Sequence, residues 1–287
     1  MFNYLKDVPK GRIYKMLRKG EVRVNKKRIK TNYRLVSGDS LRVPPVFLDD
    51  KAKLQIPHRV IDQLKSSTLY EDNAFLIINK PSGIPVHAGS GCDFGVIEAI
   101  RTMPEFKDSY IELAHRLDRE TSGCLILVKQ PQVLRKMNLL IRDNNMSKRY
   151  YALIKGVLKD GRQMIDVPLL KNTLRGGERL VQVSENGKPA KTEFSLLEGF
   201  TEASLVDVIL HTGRTHQIRV HSAHSGTPIA GDNKYGNEEF NKTMKTLGLK
   251  RLFLHANHIS FKLDDLDRIS VDAPLPDDLK KVINKLT

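Results

Sequence analysis

The chain has 287 residues, 40% of them apolar, and 48 Lys and Arg against 33 Asp and Glu, a formal net charge of +15. That length is ample for a buried core. No stretch approaches the roughly 20 continuous apolar residues of a membrane span, and the first ten residues lack the apolar run of a secretory signal. The two cysteines, Cys92 and Cys124, are too few for a disulfide framework or a Cys-rich zinc site. These features describe a soluble cytoplasmic protein with a polyanionic partner, because each phosphate neutralised by a basic side chain releases counterions.

The charge is densest at the start. Ten Lys and Arg and a single acid, Glu21, lie between Lys10 and Lys30. Ile13, Met16 and Leu17 have the spacing of a helix face, and Gly20 stands where such a helix stops. Val22 and Val24 alternate like a strand, Asn25-Lys26-Lys27 reads as a turn, and Gly38-Asp39 as another before Ser40–Val43. The basic residues, Arg12, Arg18, Lys19, Arg23, Lys26, Lys27 and Arg28 among them, thus decorate a small helix-plus-hairpin unit. Residues 4–45 resemble an S4-like RNA-binding module, so these seven side chains are its expected RNA contacts. The module is assigned to 1–45, a polar linker to 46–67 and a second domain to 68–287.

From Leu69 the texture changes. An apolar run ends in an Asn-Lys-Pro-Ser-Gly turn, and further short strands are predicted at Cys124–Val128, Tyr151–Val157, Leu205–Leu210, Gln217–Val220 and Arg251–Ala256. Helices are predicted at Phe94–Arg101, Gln132–Asp143 and Asp277–Leu286. Many strands with few helices between them indicate an α+β domain on a mixed, largely antiparallel sheet.

Phosphate-binding loops and dinucleotide fingerprints are absent from the sequence. His211, His216, His221 and His224 crowd one region, but steps of five do not bring side chains together on a helix or a strand, so no metal is expected. Three segments concentrate polar chemistry. In LAHRLDRETSGCLILVKQ (113–130), Asp118 lies between Arg116 and Arg119 at a turn into a strand. Neighbouring guanidinium groups favour the ionised form a nucleophile needs, although an ordinary surface ion pair fits the same spacing. In HTGRTHQIRVH (211–221), a strand would put Gln217 and Arg219 on one face, making Arg219 a candidate buried partner for a carboxylate. In SKRYYALIKG (147–156), Tyr150 and Tyr151 point to opposite faces, one of them free to line a cleft.

Taken together, the HRLDRETSG segment, NKPSGIPVH (79–87), GKPAKT (187–192), TGRTHQIRVH (212–221) and RLFLHA (251–256) resemble the RluA-type pseudouridine synthases in order and content, most nearly the RluC branch, which acts on bacterial large-subunit (23S) ribosomal RNA. The resemblance implies a bisected, largely antiparallel sheet with a cleft between its halves, and isomerisation of uridine to pseudouridine without cofactor or metal. It assigns Asp118 as nucleophile, Tyr150 as the active-site tyrosine, Arg219 as the basic partner of the aspartate, and Arg116 as the residue that replaces the flipped uridine in the RNA stack. His115 lies in the signature without an assigned role. The expected partner is large-subunit ribosomal RNA during assembly, met by a monomer away from membranes. The competing expectation is a ribosome-assembly factor that binds the RNA without chemistry.

Overall fold

The computed structural model describes residues 4–5, 8, 10–45, 55–89, 92–158, 160–173, 179–263 and 267–287. The chain divides into two compact units, Met1–Gln55 and Ile56–Thr287.

The first unit holds helix α1 (Lys10–Lys19) and an antiparallel sheet of β1 (Arg23–Val24), β2 (Lys27–Arg28) and β3 (Leu41–Arg42), with β1 in the middle. Ile13, Met16, Leu17 and Val22 form its small core. Gly20, at φ +71°, ends α1, with its own N–H on Leu17 O and that of Glu21 on Met16 O. That pairing satisfies carbonyls the helix leaves open. Asn25 and Lys26 both have positive φ, as a tight hairpin turn requires. The Asn25 side chain then ties the hairpin to Asp39 and Ser40. Arg12, Arg18, Lys19, Lys26, Lys27 and Arg28 are exposed and Arg23 is half-buried. Two of these cations also close the end of α1: Arg23 donates to Gly20 O and Arg28 to Lys19 O.

The second unit begins with α2 (His58–Lys65), β4 (Thr68–Glu71), β5 (Phe75–Lys80) and α3 (Val96–Arg101). It continues through β6 (Glu112–Leu113), β7 (Ser122–Val128), α4 (Pro131–Arg142) and β8 (Met146–Lys155). Next come β9 (Arg162–Asp166), β10 (Leu169–Thr173), β11 (Arg179–Val183), β12 (Lys191–Gly199) and β13 (Ala203–Leu210). The last elements are α5 (Gln217–His224), α6 (Glu238–Thr246), β14 (Leu254–Phe261), β15 (Ile269–Asp272) and α7 (Asp277–Ile283). The large sheet runs β4-β5-β7-β14-β8-β13-β12-β9, with β15 on β14 and β6 on β7. Its strands pair antiparallel except at β7–β14, a parallel contact of two register pairs, Ser122 with His255 and Gly123 with Ala256. This narrow seam divides the sheet into halves, as the resemblance implies. Every residue of β7 is buried, and Phe75, Ile77 and Ile78 of β5 pack in the same core.

Two expectations fail. The segment from 46 to 67 is not linker throughout: α2 occupies His58–Lys65, and Ile56 and Leu64 belong to the main core. Val60, Ile61 and Leu64 form an apolar stripe that the surrounding charge obscures. Residues 46–54 of that expected linker lie outside the described residues. Gln217–Val220 is not a strand but the first turn of α5. Six of the helix's eight residues are buried, Gln217 through Ser222, so no polar face reveals a helical period.

Candidate active site

The loop between β6 and β7 carries the signature segment and is held from several sides. His115 Nε2 accepts the Ile126 N–H at 3.1 Å. Burial, followed by the nearby Lys148 charge, pulls the His115 pKa down to about 4, so the ring is a neutral acceptor. This histidine therefore fastens the loop to β7, which supplies the role missing from the sequence reading. On the other side, buried Lys80 donates to the carbonyls of Pro81, Ile84 and Arg119. Ser82 donates to Glu120 O, and Arg119 Nε donates to Gly83 O. The Asn-Lys-Pro-Ser-Gly segment at the end of β5 is thus a brace for the Asp118 loop. Burial lowers Lys80 to about 7, while three carbonyls match the three N–H bonds of its ammonium form.

Asp118, with its side chain 20% exposed, faces α5. Arg219 Nη1 stands 3.5 Å from Asp118 Oδ2, while its Nε and Nη2 donate to Asp232 at 2.7 and 2.8 Å. Asp232 in turn accepts the backbone N–H groups of Lys234 and Tyr235. Its carboxyl pKa is lowered: the hydrogen bond and charge of Arg219, with these two amides, outweigh burial. One guanidinium is therefore locked by a bidentate pair and leaves its third nitrogen for Asp118. The Tyr235 ring lies under the guanidinium, 5.1 Å from its carbon.

His216 precedes α5 in the left-handed conformation, φ +52°. Its Nδ1 is 2.8 Å from Tyr235 Oη and its Nε2 is 3.8 Å from Asp118 Oδ2. Tyr235 Oη accepts the Val181 N–H as well as pairing with His216 Nδ1. Burial lowers the His216 pKa and favours the neutral ring.

The remaining wall comes from β8. Tyr150 is buried and shares a cleft of about 270 Å³ with Arg116, Asp118, Lys148, His216 and Arg219. Burial first, then the Asp118 charge, raises its pKa, so the phenol is protonated. Arg116 is exposed at the same cleft. Asp118, Tyr150, Arg219 and Arg116, separated by as many as 103 residues, therefore meet at one place. Gln217, expected beside Arg219, instead organises its own loop through Thr212, Arg214 N, Lys191 O and Thr192. The four histidines disperse: His211 binds Glu193, His221 binds Thr192 and Val167 O, His216 faces Asp118, and His224 is exposed.

A profile of the family described as RNA pseudouridylate synthase matches residues 74–224, which include Asp118, Tyr150 and Arg219. The chain belongs to that family. It is 48% identical over 286 residues to the ribosomal large subunit pseudouridine synthase C of Pasteurella multocida, covering 98% of this chain and 87% of the relative. The same-named protein of Escherichia coli K12 is 46% identical over 288 residues, covering 98% and 90%. Among solved structures, human RNA pseudouridylate synthase domain containing 4 superposes with a TM-score of 0.66 at 26% identity, covering 79% of this chain and 95% of that one. Human RNA pseudouridylate synthase domain containing 1 gives 0.63 at 26% identity, covering 75% and 85%.

Sequence reasoning did not find Asp232, Tyr235, Lys148 or Lys80, and it weighed His216 only as a metal ligand. Asp232 carries a signal in retrospect. It follows the apolar Ile229-Ala230-Gly231, and a buried arginine needs a buried acid.

Proposed function

We propose that this protein isomerises specific uridines of large-subunit ribosomal RNA to pseudouridine, with Asp118 as nucleophile. The observation that carries the reading is Asp118 itself. It lies in a cleft walled by Tyr150, with the Arg219 guanidinium and the His216 imidazole both on its Oδ2 side. The names of the relatives supply the reaction and the RNA.

A uridine within folded RNA is out of reach of a cleft of this size, so it is flipped out of the stack. Arg116, exposed at the cleft, fills the vacancy and offsets part of the unstacking cost. Asp118 attacks C1′ and N1 leaves with the bonding electron pair; the uracil turns over, its C5 displaces the Asp118 carboxylate from C1′, and C5 gives up its proton while N1 takes one up. Tyr150 offers a flat, buried face for the uracil to stack on. Arg219, anchored by Asp232, holds the carboxylate in place. This chemistry calls for no cofactor or metal. The first unit, with Arg12, Arg18, Lys19, Arg23, Lys26, Lys27 and Arg28, acts as an S4-like module that grips the RNA backbone. The protein works as a cytoplasmic monomer on ribosomal RNA during assembly. Among the described residues no helix is long and apolar enough to cross a membrane.

The test is pseudouridine mapping of large-subunit rRNA from cells with and without the protein. Discrete sites disappear without it and return with the wild type but not with Asp118→Asn. Return of the sites with Asp118→Asn would refute Asp118 as nucleophile. A variant that still binds RNA yet makes no pseudouridine excludes a purely non-catalytic assembly role.

A further inference from the structure

Lys148 is the unexplained charge of the cleft. It lies on β8 two residues before Tyr150, which puts both side chains on one face of the strand, and it is 9% exposed. Its Nζ makes no hydrogen bond and no ion pair with any described residue, yet the side chain lines the cleft that holds Asp118 and Tyr150. The position of Gly213 bounds it on the far side: a Cβ there would lie 3.7 Å from Nζ. His115, the neighbour that feels its charge, has Nε2 occupied by the Ile126 N–H.

A buried ammonium with three unused N–H bonds is costly, and burial lowers its pKa accordingly. Other cations of the cleft are accounted for. Arg219 is held by Asp232 and Asp118, Arg214 gives its Nε to Pro189 O, and Arg116 is exposed. An unpaired buried charge that faces a reaction cleft fits a partner that arrives with the substrate.

The reaction supplies one. When the C1′–N1 bond breaks, its electron pair stays on N1 and spreads over the uracil O2 and O4, so the detached ring is an anion until C5 bonds to C1′. Asp118 is a carboxylate and stabilises no such charge. Resting on the functional reading above, we propose that Lys148 is a further catalytic residue, an N–H donor to a carbonyl oxygen of the flipped uracil that stabilises the detached uracil anion. A contact of this kind strengthens as charge develops, so it acts on the rate more than on binding.

The test uses the full chain, an RNA fragment bearing a mapped target uridine, and the variants Lys148→Met and Lys148→Arg. Single-turnover conversion at saturating enzyme gives the rate, filter binding across a salt series gives Kd, and thermal unfolding gives Tm. Lys148→Met slows single turnover about 100-fold, the loss typical of one donor to a developing oxyanion. Its Kd stays within about twofold and its salt slope is unchanged, because no phosphate contact is lost. Its Tm does not fall, because an uncompensated charge has been replaced by a chain of similar length. Lys148→Arg, still a cationic donor, recovers most of the rate.

A wild-type single-turnover rate in Lys148→Met overturns the inference. So does weaker binding with a salt slope about one unit shallower and an intact saturated rate, which marks a phosphate contact. A large fall in Tm with failure of Lys148→Arg to recover the rate assigns the lysine to the fold instead. Wild-type protein that forms no pseudouridine removes the functional reading itself. An active wild type beside an equally active Lys148→Met removes this inference alone.

Discussion

Asp232→Asn isolates what the Arg219 anchor contributes. Asp232 Oδ1 accepts the Lys234 and Tyr235 amides and one arginine N–H, while Oδ2 accepts Arg219 Nε at 2.7 Å. Asparagine keeps the first oxygen and puts an amide N–H against Nε–H. The arginine loses a charge-assisted bond and its main counter-charge. Breaking one side of a buried ion pair costs about 3–5 kcal/mol. The oxygen that asparagine retains places this variant near 3 kcal/mol. For a unit spanning Ile56–Thr287, that corresponds to a Tm lower by about 6–12 °C. Single-turnover conversion falls at least tenfold, because Arg219 then closes on Asp118, its one remaining carboxylate. Calorimetry and single-turnover kinetics measure the two effects. The double variant Asp232→Asn with Arg219→Met removes both sides and recovers stability to within about 1 kcal/mol of wild type, but not activity. An unchanged Tm for Asp232→Asn, or a double variant less stable than the single one, would refute this account of the anchor.

Other outcomes follow from single features. Gly123 has φ +112°, and a Cβ there would lie 2.2 Å from Ala256 O across the parallel seam. Gly123→Ala therefore destabilises by more than about 3 kcal/mol, and a Tm within 2–3 °C of wild type would show that the seam relaxes. His115 and His255 are held near pKa 4 by burial. The unfolded chain takes up their protons near pH 6.5, so it binds more protons than the folded state between about pH 6.5 and 4. Stability falls on acidification through that window, by about 3 kcal/mol for each histidine at the acid end. Asp232, whose pKa is lowered, contributes its loss only below the window. Urea unfolding at pH 7 and 4.5 checks this, and equal stabilities contradict it. Arg116→Ala, at an exposed position, leaves Tm unchanged and lowers kcat/KM about tenfold, an unstacking cost of roughly 1–2 kcal/mol no longer offset. An unaltered kcat/KM would place Arg116 outside the flipping step.

Elements whose apolar period survived in the sequence were legible there. The face of α1, its stop at Gly20, the hairpin turn at Asn25-Lys26 and the apolar runs of β5 and β7 all depend on neighbours in the chain. Helices α2 and α5 were not legible, for opposite reasons. The stripe of α2 is hidden among charges, and α5 is buried on nearly every side, so its period carries no contrast. Strands β9 to β11 passed unread because short edge and hairpin strands have weak alternation, and β12, nine residues paired on both sides, because its apolar residues do not alternate cleanly. In the site, Asp118, Tyr150, Arg219 and Arg116 each fall within a dense local motif. Asp232, Tyr235 and Lys148 lie in segments whose meaning depends on what they face.

By itself the sequence determined the basic first unit, the strand-rich second unit, and the residues that concentrate polar chemistry at turns, since charge, period and turn chemistry act over a few residues. Only the tertiary structure decided which of them converge. The two-pair junction of β7 and β14 brings the 114–121 loop against β8 and α5. The left-handed turn at His216 aims its Nε2 and the third nitrogen of Arg219 at Asp118. The burial of Lys148 leaves its charge without a partner among the described residues. Those are long-range consequences of packing: a buried charge is defined by what surrounds it, and the surroundings here come from segments far apart in the chain.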